Sequence, residues 1–264
     1  MAKYAIGDIQ GCFDEFSSLL NKISFNPSVD HLYIVGDLVN RGPKSLQVLE
    51  YIYNYQDSIS IVLGNHDIYL IGRYANVLYK AKEDTLDNLL LSTKASKLID
   101  YLRRSPLIIK TDKYIFVHAG VYPKINFDTL LTLSFDVNSL LMSTVYMDFI
   151  KSIYGSQPNY FNEELLEHRK LKFVINSCTR MRFINKKNFS LNLKYKGEIS
   201  KSNDSLIPWF EITPDSNINQ KIVFGHWASL GYFKNNRCIA IDTGCVWGKK
   251  LTALDLDTEE IIQV

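Results

Sequence analysis

No apolar run in the 264-residue chain approaches the ~18 residues that a membrane-spanning helix requires, so no membrane partner is expected. There is no C-x-x-C pair either: Cys12, Cys178, Cys238 and Cys245 are widely scattered. That spacing argues against a zinc knuckle and against a disulfide framework, and it predicts reduced thiols. Net charge is small, +2 with the histidines neutral, whereas binders of nucleic acid or anionic membranes show a strong basic excess or a continuous basic face. Any preference for an anion must come from where the charges sit. Between Met1 and the turn at Gly7 there is no room for a charged and then apolar leader, so a cytoplasmic location is expected.

What is present is an ordinary globular composition, 46% hydrophobic and 22% charged, in a chain long enough to bury roughly 70% of its unfolded surface without staples. The first eighty residues repeat one pattern three times: a short apolar run, a glycine with an acidic or amide residue, a polar turn, then a helical period. Tyr4-Ala5-Ile6 leads to a helix with Phe13, Phe16, Leu19, Leu20 and Ile23 on one face. Leu32 to Val35 leads through Gly42-Pro43 to a helix carrying Leu46, Leu49, Ile52 and Tyr53, and Ile59 to Leu63 leads to one carrying Ile68, Ile71 and Tyr74. Strands separated by such helices pair in parallel within a covered sheet.

A helix is expected from about Thr85 to Arg104, then strands at Leu107–Ile109 and Tyr114–Val117. Helices and loops follow to Lys172, and a stripe of Leu171, Val174, Ile175, Cys178 and Met181 ends at Arg180 and Arg182. The polar segment Asn185 to Ser205 reads as a loop or small cap element. Strands Lys221–Phe224, Cys238–Ile241 and Leu251–Leu254 close the chain and are expected to be antiparallel, because only short turns join them. The fold class is therefore α/β, with mixed sheets flanked by helices, in one domain over 1–264 with a helical cap inserted at about 126–205.

In open α/β sheets, ligands gather where loops leave the carboxyl ends of strands. Asp8, Asp37, Asn65, His118 and His226 each come one or two residues after an apolar run, often beside a glycine. Each alone is an ordinary strand-end polar residue. Together they assemble carboxylate, amide and imidazole donors, which suit manganese, cobalt or iron. Two ions about 3.5–4 Å apart share a carboxylate and hold a hydroxide between them, an arrangement suited to in-line attack on phosphorus. His31 and His168 follow no such strand and are left as surface or structural residues.

Gly7-Asp8-Ile9-Gln10-Gly11, Gly36-Asp37-Leu38-Val39-Asn40-Arg41-Gly42, Gly64-Asn65-His66-Asp67 and Val117-His118-Ala119-Gly120 resemble, in order, the motifs of the calcineurin-like phosphoprotein-phosphatase superfamily of metallophosphoesterases. Thr179 to Phe183, Phe224 to Ser229 and Ile241 to Gly248 further resemble the bacterial symmetrical diadenosine tetraphosphatases, and the likeness spans essentially the whole chain. The resemblance implies a cytoplasmic hydrolase that uses a metal-bridging hydroxide and two Mn2+ or Co2+ ions to cut diadenosine tetraphosphate, a dinucleoside polyphosphate, into two ADP. Removal of nucleoside-tetraphosphate caps from 5'-capped RNA uses the same bond chemistry. A Ser/Thr phosphoprotein phosphatase of the same fold is the alternative. No obligatory protein partner is implied.

Carried over by position, the resemblance makes Asp8 and Gln10 ligands of one ion, Asp37 the bridge, and Asn65, His118 and His226 ligands of the other. His66 is then the general acid, Arg41 a phosphate clamp, and Arg180 or Arg182 a second clamp. Trp227, Trp247 and Trp209 are candidates for stacking on adenine. Two positions depart from the superfamily. Gln10 stands where many members have histidine, so looser metal binding is expected there, with added manganese or cobalt favoured over retained iron. Asn40 stands where protein phosphatases have an aspartate that supports the cationic form of the catalytic histidine. Its absence leans toward phosphoanhydrides, whose leaving group needs less protonation than an alkoxide.

Overall fold

Alternating short strands and amphipathic helices build the first third of the computed structural model, which describes residues 1–215 and 218–264. The strands are β1 (Lys3–Ile6), β2 (His31–Ile34), β3 (Ile59–Ile61), β4 (Ile108–Lys110), β5 (Tyr114–Val117), β6 (Phe183–Asn185), β7 (Leu191–Asn192), β8 (Leu206–Pro208), β9 (Lys221–Phe224), β10 (Phe233–Lys234), β11 (Cys238–Ala240), β12 (Thr252–Asp255) and β13 (Ile261–Gln263). The helices are α1 (Phe13–Lys22), α2 (Ser45–Asn54), α3 (Asn65–Tyr74), α4 (Asp87–Leu90), α5 (Ala95–Arg103), α6 (Phe127–Met142), α7 (Tyr146–Ile153) and α8 (Glu167–Arg180).

As the three repeats predict, β1 pairs in parallel with β2 and β2 with β3. They form one five-stranded sheet in the order β13-β12-β1-β2-β3, and a second runs β10-β11-β9-β5-β4. The sheets meet through a core that includes Ala5, Val35 and Val62 on one side and Phe116, Val223 and Ile239 on the other. Tyr33 stacks on Phe116 at 4.2 Å between ring centroids. Helices cover the outer faces: α1 buries Phe16, Leu19 and Leu20, and α2 buries Val48, Leu49 and Ile52, each such side chain contributing roughly 1.5–3 kcal/mol.

The structure corrects two expectations and specifies a third. The helix over 85–104 is broken into α4 and α5, where the Ser92 hydroxyl accepts from the Lys94 backbone N–H and stabilises a turn. The polar stretch 185–205 belongs to a small antiparallel sheet, β7-β6-β8. Asn185, Asn188 and Asn192 accept backbone N–H groups two residues on, so its polarity marks tight turns between short strands. Finally, β9 and β11 are parallel. The connection between them carries β10, which turns back antiparallel on β11 and supplies the length that a parallel return needs. β12 leaves for the other sheet, where it pairs antiparallel with β1 and β13.

Candidate active site and metal centre

The candidate ligands sit at the carboxyl ends of β1, β2, β3, β5 and β9, on loops except for Asn65, the first residue of α3, and the fold brings all of them together. Asp8, Asp37, His118 and His226 are buried. Asp37 is the hub. Its Oδ1 accepts from the His66 backbone N–H at 2.8 Å, its Oδ2 accepts from the Gln10 side-chain amide at 3.1 Å, and Oδ2 lies 3.3 Å from His118 Nε2. Asp8 accepts from the backbone N–H of His226 at 3.0 Å. Donor atoms of Asp37, His118 and His226 lie within 4.8 Å of one another.

The backbone is bent to make this possible. Gln10 (φ 44°), Asp37 (48°), Asn40 (75°), Arg41 (69°) and His226 (65°) all occupy the left-handed region, a cost tolerated where surrounding structure over-determines the geometry. Two glycines leave room for the carboxylates. A Cβ on Gly64 would lie 2.1 Å from Asp37 Oδ1, and one on Gly225 would lie 2.1 Å from Asp8 Oδ1. Gly225→Ala should therefore push Asp8 out of place and weaken metal binding by about 10- to 100-fold, the size of effect seen when a ligand's support is lost. Metal content after dialysis against dilute Mn2+ measures it, and full retention would contradict the close approach.

The donors fit a cation. His118 Nδ1 donates to the Val35 carbonyl at 2.8 Å, which fixes the ring and aims Nε2 at Asp37, an arrangement typical of metal-bound histidine. His118 Nε2 and His226 Nε2 are buried without a hydrogen bond among the described residues, a state costly for polar atoms unless something else engages them. The Asn65 amide fits best with its nitrogen 3.0 Å from the Thr179 carbonyl and 2.9 Å from His226 Nδ1.

Charges in the cluster are strongly coupled. Burial opposes ionisation of Asp37, yet His118 and His66 hold it well below the usual carboxylate range. Burial and then Asp242 push Asp8 up. For His118 burial favours the neutral ring, but Asp37 and Asp8 win and raise it to about 10. Metal must then displace the His118 proton, so affinity should rise with pH by about tenfold per unit for each proton displaced, through the neutral range toward pH 10. Mn2+ titrations between pH 6 and 8 test the sign; an affinity independent of pH would mean that no ligand proton is lost.

A cleft of about 400 Å³ opens over the cluster, lined by Gln10, Asp37, Asn65, His66, His226 and Asp242 and by the cations Arg41, Arg180, Arg182, Lys196 and Lys249. Arg182 donates to the His226 carbonyl at 2.7 Å, and Arg180 to the Asn176 side chain at 2.8 Å. Arg41 is ion-paired with Glu83. Trp247, 62% exposed, lines the cleft. Trp227 and Trp209 do not: at 2% and 4% exposure they are core residues, and Trp227 packs edge-on against Phe183 and donates to Ser229 Oγ. The stacking expected of these two is therefore withdrawn. Asp67 also faces away, accepting the backbone N–H groups of Leu38 and Gly64, with burial raising it to about 7.

Sequence reasoning did not place Asp242 among the site residues, although it follows the end of β11 by the same signal that picked out Asp8 and Asp37. It is buried at the cleft wall, accepts from the Gly244 N–H at 3.0 Å, and is raised to about 6 by burial.

A strand-end cluster of carboxylate, amide and imidazole donors over a two-sheet core defines a metal-dependent phosphoesterase, and the calcineurin-like phosphoesterase pattern matches residues 2–240. The symmetrical bis(5'-nucleosyl)-tetraphosphatase of Neisseria gonorrhoeae (strain NCCP11945) is 41% identical over all of this chain and 95% of its own length. That of Nitrosomonas europaea is 39% identical over 100% and 98%. The chain belongs to the symmetrical bis(5'-nucleosyl)-tetraphosphatases of the calcineurin-like phosphoesterase family, and it is a hydrolase. A solved structure described as that of a candidate diadenosine tetraphosphatase shares the fold, with TM-score 0.67 and 24% identity over 99% of this chain and 92% of its own. A serine/threonine phosphatase from Saccharomyces cerevisiae shares it more distantly, at TM-score 0.54 and 12% identity over 100% and 79%.

Proposed function

We propose that the chain hydrolyses diadenosine 5',5'''-P1,P4-tetraphosphate symmetrically to two ADP, with Mn2+ or Co2+, in the cytoplasm, as a single domain whose 126–205 segment forms the cap. The observation that carries this reading is the cleft itself: five cationic side chains surround the buried donors, far more positive charge than a phosphomonoester calls for and well matched to a tetraphosphate chain. The activity for which the relatives are named supports the same substrate. A nucleoside-tetraphosphate cap on RNA presents the same anhydride and is included as a second substrate.

Asp8 and Gln10 would hold one ion, Asn65, His118 and His226 the other, with Asp37 shared. Bound there, such ions polarise phosphoryl oxygens and lower the pKa of an attacking water. The chain's own groups do the rest. Arg41, Arg180 and Arg182 bind and orient the phosphate oxygens and stabilise the charge that spreads over them. His66 donates a hydrogen bond to the departing ADP oxygen, whose charge develops on phosphate and needs no full proton transfer. Its Nδ1 faces the Asn40 side-chain amide at 3.0 Å, while Asn40 Oδ1 accepts from the backbone N–H groups of Arg41 (2.8 Å) and Thr85 (3.2 Å). With its oxygen so engaged, the amide turns its NH2 to the ring, so Nδ1 accepts and the proton resides on Nε2. That tautomer suits a phosphate leaving group and serves an alkoxide poorly, which disfavours the protein-phosphatase alternative.

Chromatography of the products of diadenosine tetraphosphate hydrolysis tests the reading. ADP alone is expected; AMP with ATP would overturn the position of cleavage, and dephosphorylation of a phosphoserine peptide at a comparable rate would overturn the substrate class.

A further inference from the structure

A second set of donor atoms lies outside the catalytic cleft. Cys12 Sγ, Cys245 Sγ and a Glu15 carboxylate oxygen all lie within 4.8 Å of one another. Both thiols are buried, at 7% and 6% exposure, while Glu15 is exposed on the first turn of α1. Among the described residues Glu15 makes no hydrogen bond or ion pair, although its neighbour Asp14 is fully engaged by Lys44 at 2.7 Å. Two buried sulfurs and one free carboxylate thus converge on one point from elements at opposite ends of the chain: the N-terminus of α1 and the short 3-10 helix Cys245–Trp247. The spacing of the cysteines hid this, because Cys12 and Cys245 become neighbours only when β12 returns to pair with β1.

We propose that Cys12, Cys245 and Glu15 form a third metal site, for a soft divalent cation of the zinc class. Zinc takes thiolate at about 2.3 Å and carboxylate at about 2.0–2.2 Å in tetrahedral geometry. Donors around one such ion stand roughly 3.5–4 Å apart, close to the present spread of at most 4.8 Å. The two thiolates separate this site from the catalytic centre, whose donors are all oxygen and nitrogen and favour harder ions. Solvent reaches the site from the Glu15 side, which leaves the fourth position to water. An ion here ties the turn bearing Asp8 and Gln10 to the segment bearing Asp242, so it braces two walls of the cleft without touching the cations that line it.

Cobalt titration of the metal-free full chain, kept reduced with a non-coordinating reductant, tests this by a signal that the catalytic centre does not produce. Sulfur-to-cobalt charge-transfer absorption in the near ultraviolet should rise to a plateau as cobalt is added and be displaced by zinc. Asp37→Asn should keep the band, Cys245→Ala should lose it, and the surface change Glu15→Gln, which cannot disturb the core, should raise the half-saturating zinc concentration by about tenfold. If the wild-type chain recovers activity with cobalt yet shows no sulfur band, the site does not exist. A band that survives Cys245→Ala overturns the ligand assignment, and should that variant fail to fold, an unshifted Glu15→Gln titration does so instead.

Discussion

Replacing Asp37 by asparagine should lower turnover of diadenosine tetraphosphate by about 10³-fold and strip the catalytic centre of metal, an effect on the scale of losing both charge stabilisation and its template. The two side chains are nearly the same shape, so the loss is chemical. Oδ1 can still accept from the His66 N–H, but an NH2 in place of Oδ2 would face the Gln10 amide, now 3.1 Å away, and His118 Nε2 at 3.3 Å. Two donors would then oppose a third. His118 would also lose the charge that does most to raise its pKa, so it should fall from about 10 toward the ordinary histidine range. Asp37 itself is held below the usual carboxylate range, so its stabilising charge is present above the unfolded value and disappears only in strong acid. Metal per chain after dialysis, together with kcat at saturating Mn2+, measures the effect. The contrast is Gln10→Ala, which touches one side of Asp37 only and should be rescued by raising Mn2+. An Asp37→Asn enzyme within tenfold of wild type would remove Asp37 from the centre.

Most of the candidate centre was legible because each proposed ligand is announced locally. A short apolar run, a glycine and one polar residue mark the end of β1, β2, β3, β5 and β9, and the chemistry of that residue can be read without knowing how the strands pair. Burial is not announced in this way. Trp227 and Trp247 look alike in sequence, yet one fills the space beside Phe183 and the other stands 62% exposed at the cleft. Long-range partnering is equally hidden. Nothing near Cys245 points to Cys12, and the parallel pairing of β9 with β11 depends on where β10 folds back. Asp242 is a different case: it follows the end of β11 as Asp8 follows β1, so its place at the cleft was legible by the same local signal.

His66→Ala should reduce dinucleotide hydrolysis by roughly 10²-fold, and Asn40→Asp should change which substrates His66 can serve. In the native pair the Asn40 amide donates to Nδ1, which opposes a second proton on the ring. Burial also lowers the pKa of His66, with Arg41 and His118 acting in the same direction and Asp37 against it. The native ring is therefore neutral with its proton on Nε2, a hydrogen-bond donor to the leaving phosphate oxygen whose capacity does not vanish as pH rises through the ordinary histidine range. A carboxylate at position 40 would accept from a protonated Nδ1 and raise the pKa of His66, making an imidazolium available. Turnover of a phosphoserine peptide relative to diadenosine tetraphosphate should then rise by about tenfold. The variant's phosphoserine activity should fall as pH climbs through the raised pKa, because the imidazolium is the form that protonates an alkoxide. At saturating Mn2+, dinucleotide hydrolysis should show no such alkaline limb over the same range, since ADP leaves with its charge already on phosphate. An unchanged substrate ratio, or a matching alkaline limb for both substrates, would mean that Asn40 holds the ring in place without choosing its protonation state.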